Sequence, residues 1–320
     1  MFFFARASTR PAALGAITFA SALALASANA AVAQTKMTIG CTATTDCASA
    51  MVAVDEGIFA KHGLDAKMLL IGINSNIPAA IMSDSIQIGG PTETVFLQAV
   101  DGGLDLVAVA GASRMDPVSD AAVAAFARNG TSIHEAKDFV GKKVGAPGIG
   151  AFLQVLFVKW LTEKGVDPKS VNFVEVTFPT MSDTLKSGSV DAVLTAEPFI
   201  ARMTNAGVGY VAARYAAELN RTEPIISYAA SRAFVEKNAQ AIAAFRAAIE
   251  EGAKIVNSDR DKASESIAKF TKLPLDIVKL NRPNLSAPEL RPDQLAWWIE
   301  VMKQQNLLQT QIDPQKIVLK

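Results

Sequence analysis

The stretch from Gly141 to Pro198 constrains the fold more than any other part of the chain. Its pattern predicts a buried strand at Lys143–Ala146, a tight turn at Gly148 and Gly150, and an amphipathic helix from about Ala151 to Lys164. Strand, helix and strand follow, and the segment ends in a carboxylate. Because the first N–H groups of a helix have no partner within it, the turn predicts a place where a ligand is held. It lacks the spacing of dinucleotide-binding and P-loop motifs.

The N-terminal segment has the pattern of an export signal. Arg6 and Arg10 precede a long apolar run, and small-residue patterns end at Ala30 and Ala33. A membrane anchor is the alternative, but polar residues interrupt the run and its end suits a signal peptidase. We therefore expect a signal peptide over residues 1–33, cleaved near residue 30 or 33, and a mature protein in the periplasm.

The charge balance excludes a general affinity for nucleic acid. The chain carries 31 basic and 31 acidic residues, and removal of Arg6 and Arg10 leaves 29 against 31, a formal net charge of −2. A nucleic-acid-binding surface would need an excess of basic residues. The mature length is sufficient for two moderate cores, and alternating strand and helix signals predict two α/β lobes.

Cysteine and histidine usage predicts no metal site. Cys41 and Cys47 are the only cysteines, and in an oxidising compartment they could form a disulfide or stay as two free thiols. The sequence leaves both alternatives open, because it does not show whether the two side chains face each other. His62 and His134 have no second ligand at metal spacing, so neither is expected to bind a metal.

The rest of the chain repeats the strand and helix alternation. A strand is predicted before a helix from about Cys47 to His62, and another at Leu104–Ala110, so the first part should form a parallel sheet with its loops at the carboxyl edge. The pattern restarts after Gly130, and a mostly helical tail follows Ser231. We expect lobe 1 to comprise residues 35–124 and 224–320, and lobe 2 to comprise residues 125–223.

A weak internal echo supports two similar lobes. Met82–Pro91 and Leu185–Leu194 each pass from a helix end through a polar turn into a short apolar strand. A carboxylate follows each strand within a few residues, Glu93 in the first segment and Glu197 in the second. Any two βαβ units share this pattern, so the echo alone does not decide the fold.

Three phrases resemble a known family. They are Asp55–Asp65 (DEGIFAKHGLD), Asp138–Gly145 (DFVGKKVG) and Leu185–Pro198 (LKSGSVDAVLTAEP), in this order behind an export signal. Together they resemble the periplasmic solute-binding proteins of ABC importers, in the group that serves sulfonates, taurine, nitrate and thiamine precursors. The resemblance covers nearly the whole mature chain. It implies the type II periplasmic binding protein fold, an α/β architecture with two Rossmann-like lobes joined by two hinge strands and a ligand cleft between them.

Candidate ligand-binding residues lie in the turns that follow the predicted strands, where the loops of parallel sheets face a crevice. They are Thr44, Thr45, Asn74, Ser75, Asn76, Thr92, Glu93, Arg114, Gly148, Ile149, Gly150, Phe178 and Glu197.

Each candidate also has a structural alternative. The hydroxyl, amide and acidic residues could cap helices, and this is the favoured interpretation for the neighbouring Asp46. Arg114 could bind an anion through two parallel N–H groups of its guanidinium, or it could be a solvated arginine. Phe178, together with Phe152 and Met181, could line an apolar ligand body or belong to the core. The turn at Gly148–Gly150 is the strongest candidate, because the resemblance implies ligand contacts there and a helix N-terminus favours an anion.

The sequence thus predicts a monomeric binding protein with no catalytic residues and no cofactor, which delivers a small solute to a membrane permease. The expected solute is an organic anion, an aromatic or aliphatic carboxylate or sulfonate. A thiamine-precursor pyrimidine or another nitrogenous heterocycle is the alternative, and it would use carboxylates. Two other classes compete with transport: an enzyme like the thiamine-pyrimidine synthases, which use pyridoxal phosphate and an active-site histidine, and a sensor domain of a membrane receptor.

Overall fold

The computed structural model describes residues 1–3, 34–116, 122–280 and 283–320. Residues 4–33, which carry most of the predicted export signal, lie outside this range. Ala33–Lys320 form one compact unit. In the described part of the chain, no helix has the length and apolar character needed to cross a membrane.

Eleven strands occur in the described residues. They are β1 (Thr35–Cys41), β2 (Leu64–Leu70), β3 (Ile88–Gly89), β4 (Leu106–Arg114), β5 (Val123–Arg128), β6 (Lys143–Ala146), β7 (Asn172–Glu175), β8 (Ala192–Ala196), β9 (Gly209–Ala213), β10 (Pro224–Ser231) and β11 (Leu285–Ser286).

Fourteen α-helices occur in the same residues. They are α1 (Ala48–Asp55), α2 (Ile58–Lys61), α3 (Ile77–Met82), α4 (Glu93–Asp101), α5 (Phe152–Glu163), α6 (Met181–Lys186), α7 (Phe199–Asn205), α8 (Tyr215–Leu219), α9 (Arg232–Lys237), α10 (Ala239–Ser258), α11 (Arg260–Thr271), α12 (Leu275–Val278), α13 (Ala296–Gln304) and α14 (Pro314–Ile317).

The strands form two sheets, which define lobe 1 and lobe 2. The lobe 1 sheet has the order β11-β4-β10-β3-β1-β2, and the lobe 2 sheet has the order β7-β6-β8-β5-β9. Strand β1 is parallel to β2 and β3, and β6 is parallel to β7 and β8. The predicted α/β architecture with two lobes is confirmed.

Strands β10 and β11 run against the other strands of the lobe 1 sheet, and β5 runs against the other strands of the lobe 2 sheet. Strand β10 is antiparallel to β3 and β4, and β5 is antiparallel to β8 and β9. The parallel arrangement predicted for the first part of the chain is found in β1 to β4, and the later strands β10 and β11 make the complete sheet mixed. The reason is the path of the chain: it enters lobe 2 along β5 directly after β4 and returns to lobe 1 along β10 after α8. Without the edge strand β11, the lobe 1 order β4-β10-β3-β1-β2 corresponds strand by strand to the lobe 2 order read in reverse, β9-β5-β8-β6-β7. The echoing segments of the sequence supply the corresponding strands β3 and β8.

Lobe 1 is completed by the C-terminal helices. Helix α10 places Ile242, Phe245 and Ile249 in the core, at the spacing of one helical face. Phe245 stacks on Phe59 of α2 with ring centroids 5.7 Å apart. At Gly252 the helix approaches α1 so closely that an added Cβ would lie 2.2 Å from a carbonyl oxygen of α1. The long helical tail thus packs on lobe 1.

The predicted helix from Cys47 to His62 is two helices, α1 and α2. Gly57 separates them and has a φ of +65°, in the left-handed region that favours glycine. The continuous apolar pattern gave no sign of this break. At the C-terminus, a turn of 3₁₀ helix at Pro292–Leu295 precedes α13. Trp298 on α13 is fully buried and donates Nε1–H to the carbonyl of Pro224, 2.8 Å away.

Candidate functional site

A cavity of about 40 Å³ lies where the loops of lobe 1 meet lobe 2. Residues from both lobes and from strand β10 line it. They are Thr42, Thr44, Asp46, Asn74, Thr92, Val123, Pro147, Ala151, Phe152, Leu153, Phe178, Ala196, Ile225, Ile226 and Asn284.

Lobe 1 supplies the polar half of this cavity. Thr42 and Thr44 follow strand β1, Asn74 follows β2, and Thr92 follows β3. Strands β1, β2 and β3 are parallel neighbours, so their carboxyl ends meet at one edge of the sheet. Asn284 reaches the same place from the segment before β11. The polar groups of the cavity therefore come from the crevice position expected for an α/β sheet.

Lobe 2 supplies an apolar half. Ala151, Phe152 and Leu153 stand at the start of α5, and Phe178 follows β7. Phe178 stacks on Phe199 of α7, with centroids 5.2 Å apart and planes 18° from parallel. Such aromatic surfaces suit the apolar body of an organic molecule.

The carboxylate of Asp46 organises the polar half. It accepts hydrogen bonds from Thr44 Oγ1, Ser113 Oγ and Asn284 Nδ2, each 2.7 Å long. Asp46 also lies just before the N-terminus of α1, where the helix dipole stabilises a negative charge. Buried carboxylates are tolerated when donors satisfy them, so this network is a stable part of the cavity wall.

Asn74 joins two turns of lobe 1. Its Nδ2 donates to the carbonyl of Gly90 at 3.3 Å, and its Oδ1 accepts from the Thr92 N–H at 2.9 Å and from Thr92 Oγ1 at 3.3 Å. The two backbone contacts assign the amide orientation, because each is compatible with only one of the two ends of the side chain. Asn74 thus fixes the start of α4 beside the cavity.

Among the described residues, three contacts join the lobes at α5 and the turn before it. Gln98 Nε2 on α4 donates to the carbonyl of Gly150 at 2.7 Å, and Gln305 Nε2 donates to the carbonyl of Val155 at 2.9 Å. The ring of Phe152 lies edge-on to Trp298 with centroids 5.5 Å apart. All three contacts join lobe 1 to helix α5 or to the turn before it.

The turn at Gly148–Gly150, predicted as the strongest ligand contact, lies beside the cavity but does not line it. The N–H of Gly150 donates to Gln154 Oε1 at 2.6 Å, so a side chain of α5 already uses this donor. Gly150 has a φ of +72°, which explains the glycine. Ile149 is half exposed. Phe152 and Leu153, in the first turn of α5, line the cavity.

Other predicted residues lie away from the cavity. Thr45 is buried and its Oγ1 accepts the N–H of Asn284 at 3.1 Å, while Ser75 and Asn76 are exposed in the turn before α3. Arg114 is exposed at the end of β4. Strand β4 continues to Arg114 instead of ending at Ala110, so this side chain belongs to the sheet and not to a loop at the crevice.

Two predicted carboxylates are buried next to cavity-lining residues. Glu93 is fully buried, accepts a hydrogen bond from Ser227 Oγ through Oε1, and has no partner for Oε2 in the described residues. Burial raises the pKa of Glu93 from 4.5 to about 7, although the Ser227 hydroxyl lowers it in part. Glu197 in lobe 2 accepts the N–H of Ala201 at 3.1 Å. Neither carboxylate lines the cavity.

Several lining residues were not among the predicted site residues. Thr42 and Pro147 stand next to predicted site residues, and their position at strand ends was the signal that could have identified them. Asn284 and the pair Ile225 and Ile226 come from parts of the chain far from the predicted loops. Only the return of β10 and β11 to lobe 1 brings them to the cavity.

Cys41 and Cys47 form a disulfide, with sulfur atoms 2.15 Å apart. It closes the loop that carries Thr42, Thr44 and Asp46, so it restrains the polar wall of the cavity. Among the described residues, no group of three or more histidine, cysteine, aspartate or glutamate side chains could hold a metal ion.

Comparison with known sequences identifies the family. A match to the NMT1-like family spans residues 30–271. The nitrate/nitrite binding protein NrtA of Synechococcus elongatus is 24% identical over 242 residues, which are 67% of this chain and 53% of that protein. The chain thus spans about half the length of this curated relative.

Solved structures share the fold at low sequence identity. The periplasmic aliphatic sulphonate binding protein SsuA from Escherichia coli matches with a TM-score of 0.72 and 18% identity, covering 88% of this chain and 97% of that one. SsuA from Xanthomonas axonopodis pv. citri, bound to MOPS, matches with a TM-score of 0.76 and 16% identity, covering 89% and 98%. The periplasmic nitrate-binding protein NrtA from Synechocystis PCC 6803 matches with a TM-score of 0.71 and 16% identity, covering 89% and 86%. The chain belongs to the NMT1-like family and has the fold of the type II periplasmic binding proteins.

Proposed function

We propose that this protein is the solute-binding component of an ABC importer in the periplasm. It captures a small organic solute between its two lobes and delivers it, as a monomer, to a membrane permease. The observation that carries the proposal is the cavity between the lobes, with polar groups from lobe 1 and apolar groups from lobe 2. The lobe division would be residues 35–124 with 224–320, and residues 125–223. The fold and the names of the relatives support this role.

Capture requires the lobes to separate and close. The cavity of about 40 Å³ has room for about three water molecules, so an organic body enters only when the lobes move apart. The contacts of Gln98, Gln305 and Phe152 join lobe 1 to α5 and to the turn before it. A small set of contacts can be exchanged for ligand contacts at little cost, which suits hinge closure.

A binding role fits the carboxylates better than catalysis does. Each oxygen of Asp46 already accepts a protein donor, and Glu93 is buried and does not line the cavity. A general base must reach the proton that it removes, directly or through one water. The family proteins in the comparison are named as binding proteins.

The first candidate for the solute is a nitrogenous molecule with an uncharged or cationic head group. Among the described residues that line the cavity, none is lysine or arginine, and Asp46 is a carboxylate. A cationic or neutral head avoids repulsion from Asp46, and the aromatic surface of Phe152 and Phe178 suits a flat body. A pyrimidine or similar heterocycle has both properties.

The second candidate is an organic anion, a carboxylate or sulfonate. It is supported by the first-turn amides of α5, which favour negative charge, and by the nitrate- and sulfonate-binding relatives. Arg114 and the Gly150 N–H, which the sequence offered for this role, do not line the cavity.

A thermal-shift screen of small metabolites tests the proposed function. A solute present at a hundredfold its Kd stabilises the folded state by about 2.7 kcal/mol. We expect a hit whose shift is abolished by Ala151→Leu, because Ala151 lines the cavity and a larger side chain would fill it. Ser75→Ala, at an exposed position outside the cavity, is the control and should keep the full shift. A screen without hits, or a shift that survives Ala151→Leu, contradicts the proposal.

A further inference from the structure

Three donors of the polar half already bond within the protein. Thr44 gives its hydroxyl proton to Asp46, and Asn284 gives an Nδ2 proton to the same carboxylate, both at 2.7 Å. The Thr92 hydroxyl lies 3.3 Å from the acceptor Asn74 Oδ1 and 3.2 Å from Thr94 Oγ1, so its proton is used within lobe 1 by one of these two oxygens. A carboxylate only accepts hydrogen bonds, and a hydroxyl has one proton, so these protons are not available to a solute.

What remains for a solute is mostly a set of acceptors, together with the second Nδ2 proton of Asn284 and the Thr42 hydroxyl. After donation, the oxygens of Thr44 and Thr92 keep free lone pairs, and Asn284 turns its Oδ1 away from Asp46. No hydrogen bond occupies Asn284 Oδ1 in the described part of the chain. Thr42 lines the same wall, and its hydroxyl, which has no protein partner there, can donate or accept.

We propose that Thr44, Thr92 and Asn284 form an acceptor array that selects solutes whose head group donates at least two hydrogen bonds, and that Asp46 is the positioning residue that sets this polarity. Amides, amidinium groups and amino-substituted nitrogen heterocycles have such heads. A carboxylate or sulfonate offers only acceptors, so its oxygens would face the lone pairs of the array next to the Asp46 charge. The inference rests on the proposed function and deepens it by naming the class of solute.

The end of the solute opposite the head group can be a hydrogen-bond acceptor, because lobe 2 offers donors to it. The first-turn amides of α5 in lobe 2, at Phe152 and Leu153, have no carbonyl partner within the helix. A carbonyl or ring nitrogen can accept from them while the donor head binds the array. The two lobes then contact opposite ends of one molecule, which is the condition for closure driven by the ligand.

The experiment uses the full-length mature protein and a library in which each ring or chain body occurs with an amide, an amidinium and a carboxylate head. Benzamide, benzamidinium and benzoate are one such set. We expect the hits to be amide- or amidinium-headed, with the matched carboxylate at least about tenfold weaker, a ratio that corresponds to about 1.4 kcal/mol. Carboxylates that bind as tightly as their matched amides overturn the acceptor array but leave the proposed function intact. A library without any hit contradicts the proposed function itself.

Variants separate the array from a general effect on folding. Thr44→Val removes one acceptor at nearly constant shape and should weaken donor-headed hits by about tenfold. Thr44→Ser restores the hydroxyl and should recover most of this loss, while the exposed control Ser75→Ala should have no effect.

Asp46→Asn tests the positioning role. Its amide can donate to Thr44 and release the hydroxyl proton toward the cavity, so the affinity ratio of amidinium to carboxylate should fall by at least about tenfold. An unchanged ratio in a folded Asp46→Asn protein contradicts the assignment. If Asp46→Asn does not fold, Thr44→Val and Thr44→Ser test the acceptor array in its place. Equal affinities of wild type and Thr44→Val for donor-headed hits overturn the array.

Discussion

The ionisation of Glu93 should make the stability of this protein depend on pH. Glu93 is fully buried at the start of α4, and only Ser227 donates to its side chain in the described residues. Its pKa in the folded state is about 7, against 4.5 for an ordinary glutamate. A carboxyl group whose pKa is raised by folding favours the folded state at low pH, where it is protonated in both states, and this advantage is lost as the pH rises through 7.

The magnitude follows from the difference between the two pKa values. One pKa unit corresponds to 1.36 kcal/mol, so a rise from 4.5 to about 7 corresponds to about 3 kcal/mol. Glu93→Gln carries a neutral group of the same shape at every pH. Relative to wild type, its free energy of unfolding should therefore increase by about 3 kcal/mol between pH 4 and pH 8. At pH 8 the variant should be the more stable protein.

Urea unfolding followed by circular dichroism, at several pH values between 4 and 8, measures this difference. Comparing the variant with wild type at each pH cancels the titration of all other groups. Ser227→Ala gives a second test with the opposite sign: the hydroxyl lowers the pKa of Glu93, so its removal should raise that pKa and extend the loss of stability to higher pH. A difference between Glu93→Gln and wild type that stays constant from pH 4 to pH 8 would refute the reasoning.

Three further predictions concern stability and closure. Replacing Cys41 and Cys47 by alanine should lower the free energy of unfolding by about 2 kcal/mol, because the disulfide closes a short loop; reduction of the wild type in a urea titration should give the same loss. Gly252→Ala should cost about 1–3 kcal/mol in the same assay, since its Cβ would lie 2.2 Å from a carbonyl of α1, whereas Gly72→Ala, with no atom within 4 Å, should be nearly neutral. Gln98→Ala removes a hydrogen bond between the lobes and should weaken the binding of a screening hit by about fivefold in calorimetry; unchanged affinity would show that this contact does not contribute to closure.

Segments with a long hydrophobic period were well predicted. The helix expected at Ala151–Lys164 is α5 at Phe152–Glu163, because its buried residues recur at helical spacing. The direction of β5 and β10 was not predictable in this way. Periodicity reports which residues are buried, but the direction of a strand depends on where the chain comes from, and both strands follow a crossing between the lobes.

In the candidate site, too, some residues were predictable from the sequence pattern and others were not. Thr44, Asn74, Thr92 and Phe178 line the cavity, and all of them follow strands that the pattern identified. Arg114 does not, because β4 extends four residues beyond the predicted end at Ala110. The polarity of the hydrogen bonds in the cavity was also not predictable. The pattern favoured a helix cap for Asp46, and its bonds to Ser113 and Asn284, in two distant segments, exist only in the folded chain.

The position of β10 sets the order in which the two lobes can be completed. The lobe 2 sheet uses one continuous part of the chain, from Val123 to Ala213. The lobe 1 sheet has a gap between β3 and β4 until Pro224–Ser231 arrives, and two open strand edges flank that gap. A chain emerging from synthesis can therefore finish the sheet of its middle third first. The lobe that begins at the N-terminus is finished last, after Pro224–Ser231 has been made.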